Sequence, residues 1–105
     1  MKPETTHSGP SLLGQPIHLP QHVVYRSFPA ETVVLNLQTG KYHGLNPSAG
    51  RMLEAVERAG SVGAAAAKVA AEFEQPQAVI ERDMCDLCRL LLDRGLVEIG
   101  SRDAR

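Results

Sequence analysis

The hydrophobic pattern of this chain changes from strand-like to helix-like at Asn46 and Pro47. Before this point, residues 23–28 (VVYRSF) and 32–37 (TVVLNL) are rich in β-branched and aromatic side chains, which is typical of strands. Asn followed by Pro is typical of a helix start, with the Asn side chain as the cap and the Pro in the first turn. The segments beyond it repeat with a helical period. We therefore predict an α+β domain in which the sheet precedes the helices.

The second and third predicted strands form a hairpin. Residues 38–40 (QTG) are predicted to be a three-residue loop, because Gly40 can adopt the left-handed conformation that such loops need. The return strand is predicted at residues 41–45 (KYHGL), with Leu35 facing His43. This last strand is expected to lie at an edge of a three-stranded meander.

Three helices are predicted after the hairpin. The first ends before Gly60, the second is capped by Ser61, and Gly95 ends the third. Their expected ranges are 47–58, 61–74 and 76–94, followed by a short strand or extended tail at 96–99. A three-stranded antiparallel sheet followed by three helices is the order of a winged helix-turn-helix.

One folded domain is expected from 105 residues, of which 43% are hydrophobic and 22% charged. Residues 1–20 contain four of the seven prolines and have no periodicity, so they are predicted to be a flexible N-terminal arm. The domain is placed at residues 21–100, and residues 101–105 are taken as a C-terminal tail.

The third helix has more apolar surface than one packing contact requires. Its predicted core stripe consists of Ile80, Met84, Leu87 and Leu91. On one side this stripe is widened by Cys85, Cys88 and Leu92. Because a helix packed on one face needs an apolar arc of only about 100°, either neighbouring elements cover the excess or a groove there accepts an apolar ligand.

The motifs of the chain do not indicate catalysis or metal binding. Cys85 and Cys88 have a CxxC spacing, but they lie within a predicted helix and no second pair could complete a zinc site. They are interpreted as reduced thiols in the core or at its border. No nucleophile, phosphate-binding loop or paired acid and base is evident, so no catalytic residue, metal or cofactor is predicted.

Charge and hydropathy argue against nucleic-acid and membrane partners. The formal net charge is −1, and residues 81–94 carry three Arg against four acidic residues. This balance disfavours binding of a helix in a DNA groove. No apolar run approaches the ~20 residues of a membrane span, and no secretory signal is evident, so a cytoplasmic location is expected.

Two segments resemble the PqqD-like family, the recognition elements for ribosomally made and modified peptides. They are residues 33–53 (VVLNLQTGKYHGLNPSAGRML) and residues 83–97 (DMCDLCRLLLDRGLV). The hairpin is most similar to that of stand-alone members found in lasso-peptide biosynthesis. The resemblance covers about two-thirds of the chain, from residue 33 to residue 97.

The resemblance implies a non-catalytic adaptor that binds the leader segment of a precursor peptide as an added strand beside the third strand. Leader side chains would enter a groove between this strand and the third helix. The partners implied are the precursor's leader, a leader peptidase and a macrolactam synthetase. The expected peptide-binding residues are Lys41, Tyr42, His43, Gly44, Leu45, Cys85, Cys88, Arg89 and Leu92. Two alternatives stay open: a PqqD-type chaperone for a radical-SAM enzyme, and a small winged-helix DNA-binding regulator.

Overall fold

The structure is a computed structural model that describes residues 12–100. Within this range β2, β3 and β4 form an antiparallel sheet in that order, while β1 and β5 pair as a separate antiparallel ribbon. The elements are a 3-10 turn at Leu12–Gly14, β1 Ile17–His18, β2 Val23–Ser27, β3 Thr32–Asn36, β4 Tyr42–Leu45, α1 Pro47–Ala59, α2 Val62–Phe73, α3 Gln77–Asp93 and β5 Glu98–Ile99. The predicted α+β class, with a three-stranded sheet followed by three helices, is confirmed.

The hairpin between β3 and β4 has a longer loop than predicted. The backbone N–H of Asn36 donates to the carbonyl of Lys41 (2.9 Å), which leaves four residues, 37–40, in the loop instead of three. The Asn36 side chain accepts hydrogen bonds from the backbone N–H groups of Gln38 and Thr39 (2.9 and 3.2 Å), which ends the strand one residue early. The longer loop explains why the predicted register was wrong by one residue.

In the observed register Leu35 pairs with Tyr42, and His43 pairs with Val34 instead of Leu35. This places Val34, which is fully buried, on the inner face of the sheet. Gly40 has φ 76°, so the predicted left-handed conformation in the loop is confirmed.

α1 packs closely against the inner face of the sheet. Its N-terminus is capped as predicted, since the Asn46 side chain accepts a hydrogen bond from the N–H of Ala49 (2.8 Å). One turn into the helix, a Cβ built on Gly50 would overlap the side chain of Thr32, a buried residue of β3. The absence of a side chain at Gly50 therefore allows the helix to approach the sheet.

The boundaries of α2 and α3 follow local signals that the sequence contains. The Ser61 hydroxyl accepts a hydrogen bond from the N–H of Ala64 (3.1 Å), and Pro76 immediately precedes α3. Gly60 and Gly95 have φ of 92° and 71° where α1 and α3 end. Between residues 12 and 100 no helix combines the length and apolar character needed to cross a membrane.

Residues 12–20 are packed against the domain, which differs from the predicted flexible arm. Leu12 and Ile17 are 6% and 2% exposed and belong to the hydrophobic core. The N–H of Ile17 donates to the carbonyl of Gly60 (2.8 Å), and β1 pairs with β5 near the C-terminus. A two-residue strand has no periodicity, so the sequence did not reveal it. The remainder of the predicted arm, residues 1–11, and the predicted tail, residues 101–105, lie outside the described residues.

Candidate functional site

Among residues 12–100, β4 is an edge strand whose outward backbone groups have no partner. Because Asn36 and Lys41 form a hydrogen-bonded pair, alternation along an antiparallel ladder turns the backbone of His43 towards β3 and the backbones of Tyr42 and Gly44 away from it. Both outward-turned residues are exposed, Tyr42 with 71% of its surface. Within the described residues, these N–H and C=O groups can therefore accept a further strand.

The middle of β4 is linked to the end of α3. Nη1 of Arg94 lies 2.9 Å from Nδ1 of His43. Because a guanidinium can only donate, Nδ1 accepts, and the ring proton of neutral His43 is on Nε2. His43 is half-buried and Arg94 is exposed. We take the helical face that carries Arg94 as the side of α3 nearest the free edge.

By helical spacing, Leu87, Leu90 and Arg94 lie on that side, and so does the exposed Asp83. Leu87, Leu90 and Arg94 follow one another at spacings of three and four, which places them on one helical face. Leu87 is half-buried against the core and Leu90 is 42% exposed. This apolar strip was not among the predicted site residues. A helical wheel gives angles between residues, but it does not indicate which face lies beside the sheet.

The structure corrects the predicted helical phase of α3. Cys88 is 1% exposed and lies in the core with Ile80, Met84 and Leu91, whereas Leu87 is at the border. The thiol of Cys88 is therefore not available as pocket lining. Of the other predicted helix residues, Cys85 and Leu92 are half-buried, and they lie about 140° or more around the helix from Leu87.

The remaining predicted site residues have mixed environments. Arg89 is exposed, and its guanidinium lies 3.9 Å from a carboxylate oxygen of Asp86, three residues earlier. Lys41 is exposed, whereas the side chain of Leu45 is 8% exposed and belongs to the core. At this edge, therefore, the side chains accessible to a ligand are those of Lys41, just before β4, of Tyr42 and, in part, of His43.

Both cysteines are in an environment that favours the neutral thiol. Burial raises the pKa of Cys88 to about 12, and burial also raises the pKa of Cys85 above its usual value. Across residues 12–100, no group of three or more His, Cys, Asp or Glu side chains is arranged to hold a metal ion.

A surface pocket of about 460 Å³ lies away from this edge, between the β1–β5 ribbon and the turn from α1 to α2. His18, Glu57 and Gly60 are among its lining residues. None of the predicted site residues lines it, so the free edge of β4 is the better candidate site.

An α+β domain with an open edge strand beside a partly exposed helical face has the features of a peptide-recognition domain. The chain belongs to the PqqD family, since the family described as coenzyme PQQ synthesis protein D (PqqD) matches residues 31–97.

Two solved structures are similar to the chain. One is TbiB1 in complex with the TbiA(beta) leader peptide, with 30% sequence identity, 82% of this chain and 99% of that chain covered, and a TM-score of 0.70. The other is a lasso peptide synthetase B1 complexed with the leader peptide, with 22% identity, coverage of 79% and 98%, and a TM-score of 0.70. At that identity, the second structure indicates similarity of fold. A comparison with curated proteins found no significant match.

Proposed function

We propose that this chain is a non-catalytic adaptor that binds the leader segment of a ribosomally made precursor peptide, of the lasso type, as an added strand on β4. The observation that carries the proposal is the similarity to TbiB1, a protein of 30% identity solved with its leader peptide bound. The exposed edge at Tyr42 and Gly44 supplies the backbone groups that strand addition requires.

Strand addition accounts for both affinity and specificity. Pairing with β4 would satisfy the N–H and C=O groups of Tyr42 and Gly44. Alternate side chains of the added strand would then point inwards, towards the strip formed by Leu87 and Leu90 on α3. Burying one apolar leader side chain there contributes about 1.5–3 kcal/mol. Two such anchors and the backbone pairing would both contribute to the affinity for the leader.

The adaptor role includes two downstream partners. The bound precursor would be presented to a leader peptidase and then to a macrolactam synthetase, as the resemblance to lasso-type members implies. The predicted site residues that this proposal uses most directly are Tyr42 and Gly44, through their backbones, and His43, through its inward side chain.

Titration of the full chain with a fluorescent leader peptide tests the proposal. The probe is the leader of the precursor encoded beside the gene for this chain, with a scrambled leader as the control. Saturable binding of about 1 μM or tighter to the leader, and at least tenfold weaker binding to the scrambled peptide, is expected. Equal binding of the two peptides, or none, would contradict the proposal.

Incubating chain, precursor and ATP without other enzymes should leave the precursor mass unchanged.

A second candidate is a chaperone for a radical-SAM peptide-modifying enzyme. The observation that favours it is the name of the matched family, which refers to coenzyme PQQ synthesis. Both candidates use the same edge, and they differ in the precursor and the enzyme that is recruited. Pull-down with the tagged chain would separate them, because only one class of enzyme should be retained.

DNA binding is not favoured. Of the cations on and beside α3, Arg89 pairs with Asp86 and Arg94 is hydrogen bonded to His43. A salt-dependent mobility shift with duplex DNA would overturn this view.

A further inference from the structure

The outer face of the sheet, which points away from α1, carries a row of apolar side chains that runs across the strands. Val24 pairs with Leu35, and Leu35 pairs with Tyr42, so the three side chains lie on one face in register. Val24 is 43% exposed, Leu35 is half-buried and Tyr42 is 71% exposed. The row therefore becomes most exposed at the free edge of β4.

This row has a defined continuation if a strand is added to β4. The residue of the new strand that pairs with Tyr42 must place its side chain on the same face as Tyr42, because paired residues share a face of the pleat. That side chain would be the fourth member of the row and would contact the exposed phenol ring. The neighbouring residues of the new strand would point to the inner face, towards α3.

We infer that the leader is recognised on both faces of the sheet, and that the leader residue opposite Tyr42 is selected for an apolar or aromatic side chain by this outer row. The inference rests on the proposed function, since it requires a leader strand on β4. The position beside Tyr42 would be occupied by one side chain of the leader, because the apolar row continues to the free edge of β4, where the leader strand would be added.

The next outward position on the leader has a different environment. It lies opposite Gly44, which has no side chain of its own. A Cβ built on Gly44 would lie 2.6 Å from Oε1 of Glu31, so a carboxylate occupies the outer face at that point. Apolar selection should therefore apply to the position opposite Tyr42 and be absent two residues away.

Variants of the chain give the first part of the test. Tyr42→Ser removes the ring but keeps the backbone N–H, and it should weaken binding of the fluorescent cognate leader by about three- to tenfold. Tyr42→Phe should bind within about twofold of the parent. The control is Phe28→Ser, which removes an exposed aromatic ring just after β2, at the opposite edge of the sheet; its affinity should also stay within about twofold. Circular dichroism and thermal unfolding establish that each variant is folded.

Variants of the leader give the second part. The residue opposite Tyr42 is located by nuclear Overhauser contacts to the labelled ring, and it is changed to Ala and to Asp. These changes should weaken binding to the parent chain by about threefold or more. When the same leader variants bind the Tyr42→Ser chain, the loss of affinity should be less than about half as large. The change to Ala opposite Gly44 should be nearly neutral, whereas Asp there would lie beside the Glu31 carboxylate and should weaken binding.

The outcomes separate this inference from the proposed function. If the parent chain does not bind the leader, the proposed function fails. If the parent binds and Tyr42→Ser binds equally well, the function stands and the outer row is not a leader subsite.

Discussion

The guanidinium of Arg94 donates a 2.9 Å hydrogen bond to Nδ1 of His43, and this contact joins the end of α3 to the middle of β4. The same helical face contains Leu87 and Leu90, at spacings of seven and four residues from Arg94. A strand added to β4 would direct its inward side chains towards this face. We therefore propose that Leu87 and Leu90 form the apolar wall that the leader contacts.

Leu90→Asp should weaken leader binding by about tenfold or more, because a charge would lie in the path of an apolar leader side chain. The change should cost little stability, since Leu90 is 42% exposed in the free chain. Fluorescence polarisation gives the affinity and urea unfolding gives the stability. Ile99→Asp is the matched control, since Ile99 is 50% exposed and lies on the β1–β5 ribbon. If Leu90→Asp binds like the parent and a folded Leu92→Asp loses affinity, the pocket lies instead on the flank of Cys85, Cys88 and Leu92 that the sequence predicted.

Gly44→Pro should abolish tight leader binding in a folded chain. Proline removes the outward N–H of residue 44, and proline is tolerated on an edge strand whose N–H faces solvent. Gly44→Ala retains the N–H and needs only a movement of the Glu31 side chain, so its affinity should fall by less than about threefold. His43→Pro should instead destabilise the fold, because that N–H points towards β3. Equal affinities for Gly44→Pro and Gly44→Ala would exclude pairing at this position.

Local signals in the sequence were sufficient for most of the fold. Each of these signals can be interpreted within a few residues: Asn46 followed by Pro47, the Ser61 cap, and glycines where helices end. The helices accordingly begin and end within about two residues of the predicted positions. The hairpin register was wrong because the side chain of Asn36 ends the strand early, a contact that residue periodicity does not contain.

The site was less predictable for a different reason. The edge strand could be recognised from the order of the strands, but the face of α3 beside it depends on the contact between His43 and Arg94, which are 51 residues apart. Residues 12–20 present the same difficulty, since Ile17 in β1 pairs with Ile99 in β5. Contacts between distant short segments leave no pattern within either segment.

Ile17→Ala should destabilise the chain by about 2–4 kcal/mol, the usual cost of truncating a buried Ile. Ile17 is 2% exposed, and its loss would leave a cavity beside the ribbon. Urea unfolding measures the effect, with Val24→Ala on the exposed outer face as the control. A stability within about 0.5 kcal/mol of the parent would mean that this segment is only loosely attached.

Gly50→Ala should also be destabilising, by about 1–3 kcal/mol. Alanine favours helix formation, but its Cβ would overlap the side chain of Thr32 and force α1 away from the sheet. Ser48→Ala, at an exposed position in the same helix, is the control and should change stability by less than about 0.5 kcal/mol. The midpoint of thermal unfolding would show the difference, and an unchanged or raised midpoint for Gly50→Ala would contradict the close packing described above.

Alkaline pH should destabilise the fold partly through Cys88. Burial raises the pKa of Cys88 to about 12 from an ordinary value of 9.0, so above pH 9.0 the unfolded chain loses a proton that the folded chain retains. The contribution of Cys88 to stability is complete below its pKa in the unfolded chain, and it declines as the pH rises towards its pKa in the folded chain. Between about pH 8 and pH 10, this should remove about 1 kcal/mol of the free energy of unfolding. In reducing buffer, the free energy of unfolding of Cys88→Ala should fall by about 1 kcal/mol less than that of the parent over this range. Equal decreases in the two chains would contradict the raised pKa of Cys88.

Amide hydrogen exchange of Tyr42 and Gly44, with and without the leader, tests the central claim most directly. In the free chain both N–H groups point away from β3, so they should exchange rapidly, whereas the N–H of His43 should already be protected by its pairing with Val34. Strand addition predicts that saturating leader slows exchange at Tyr42 and Gly44 by about tenfold or more, with little change at His43. Leader binding that leaves the Tyr42 and Gly44 amides exchanging at their free rates would contradict the account.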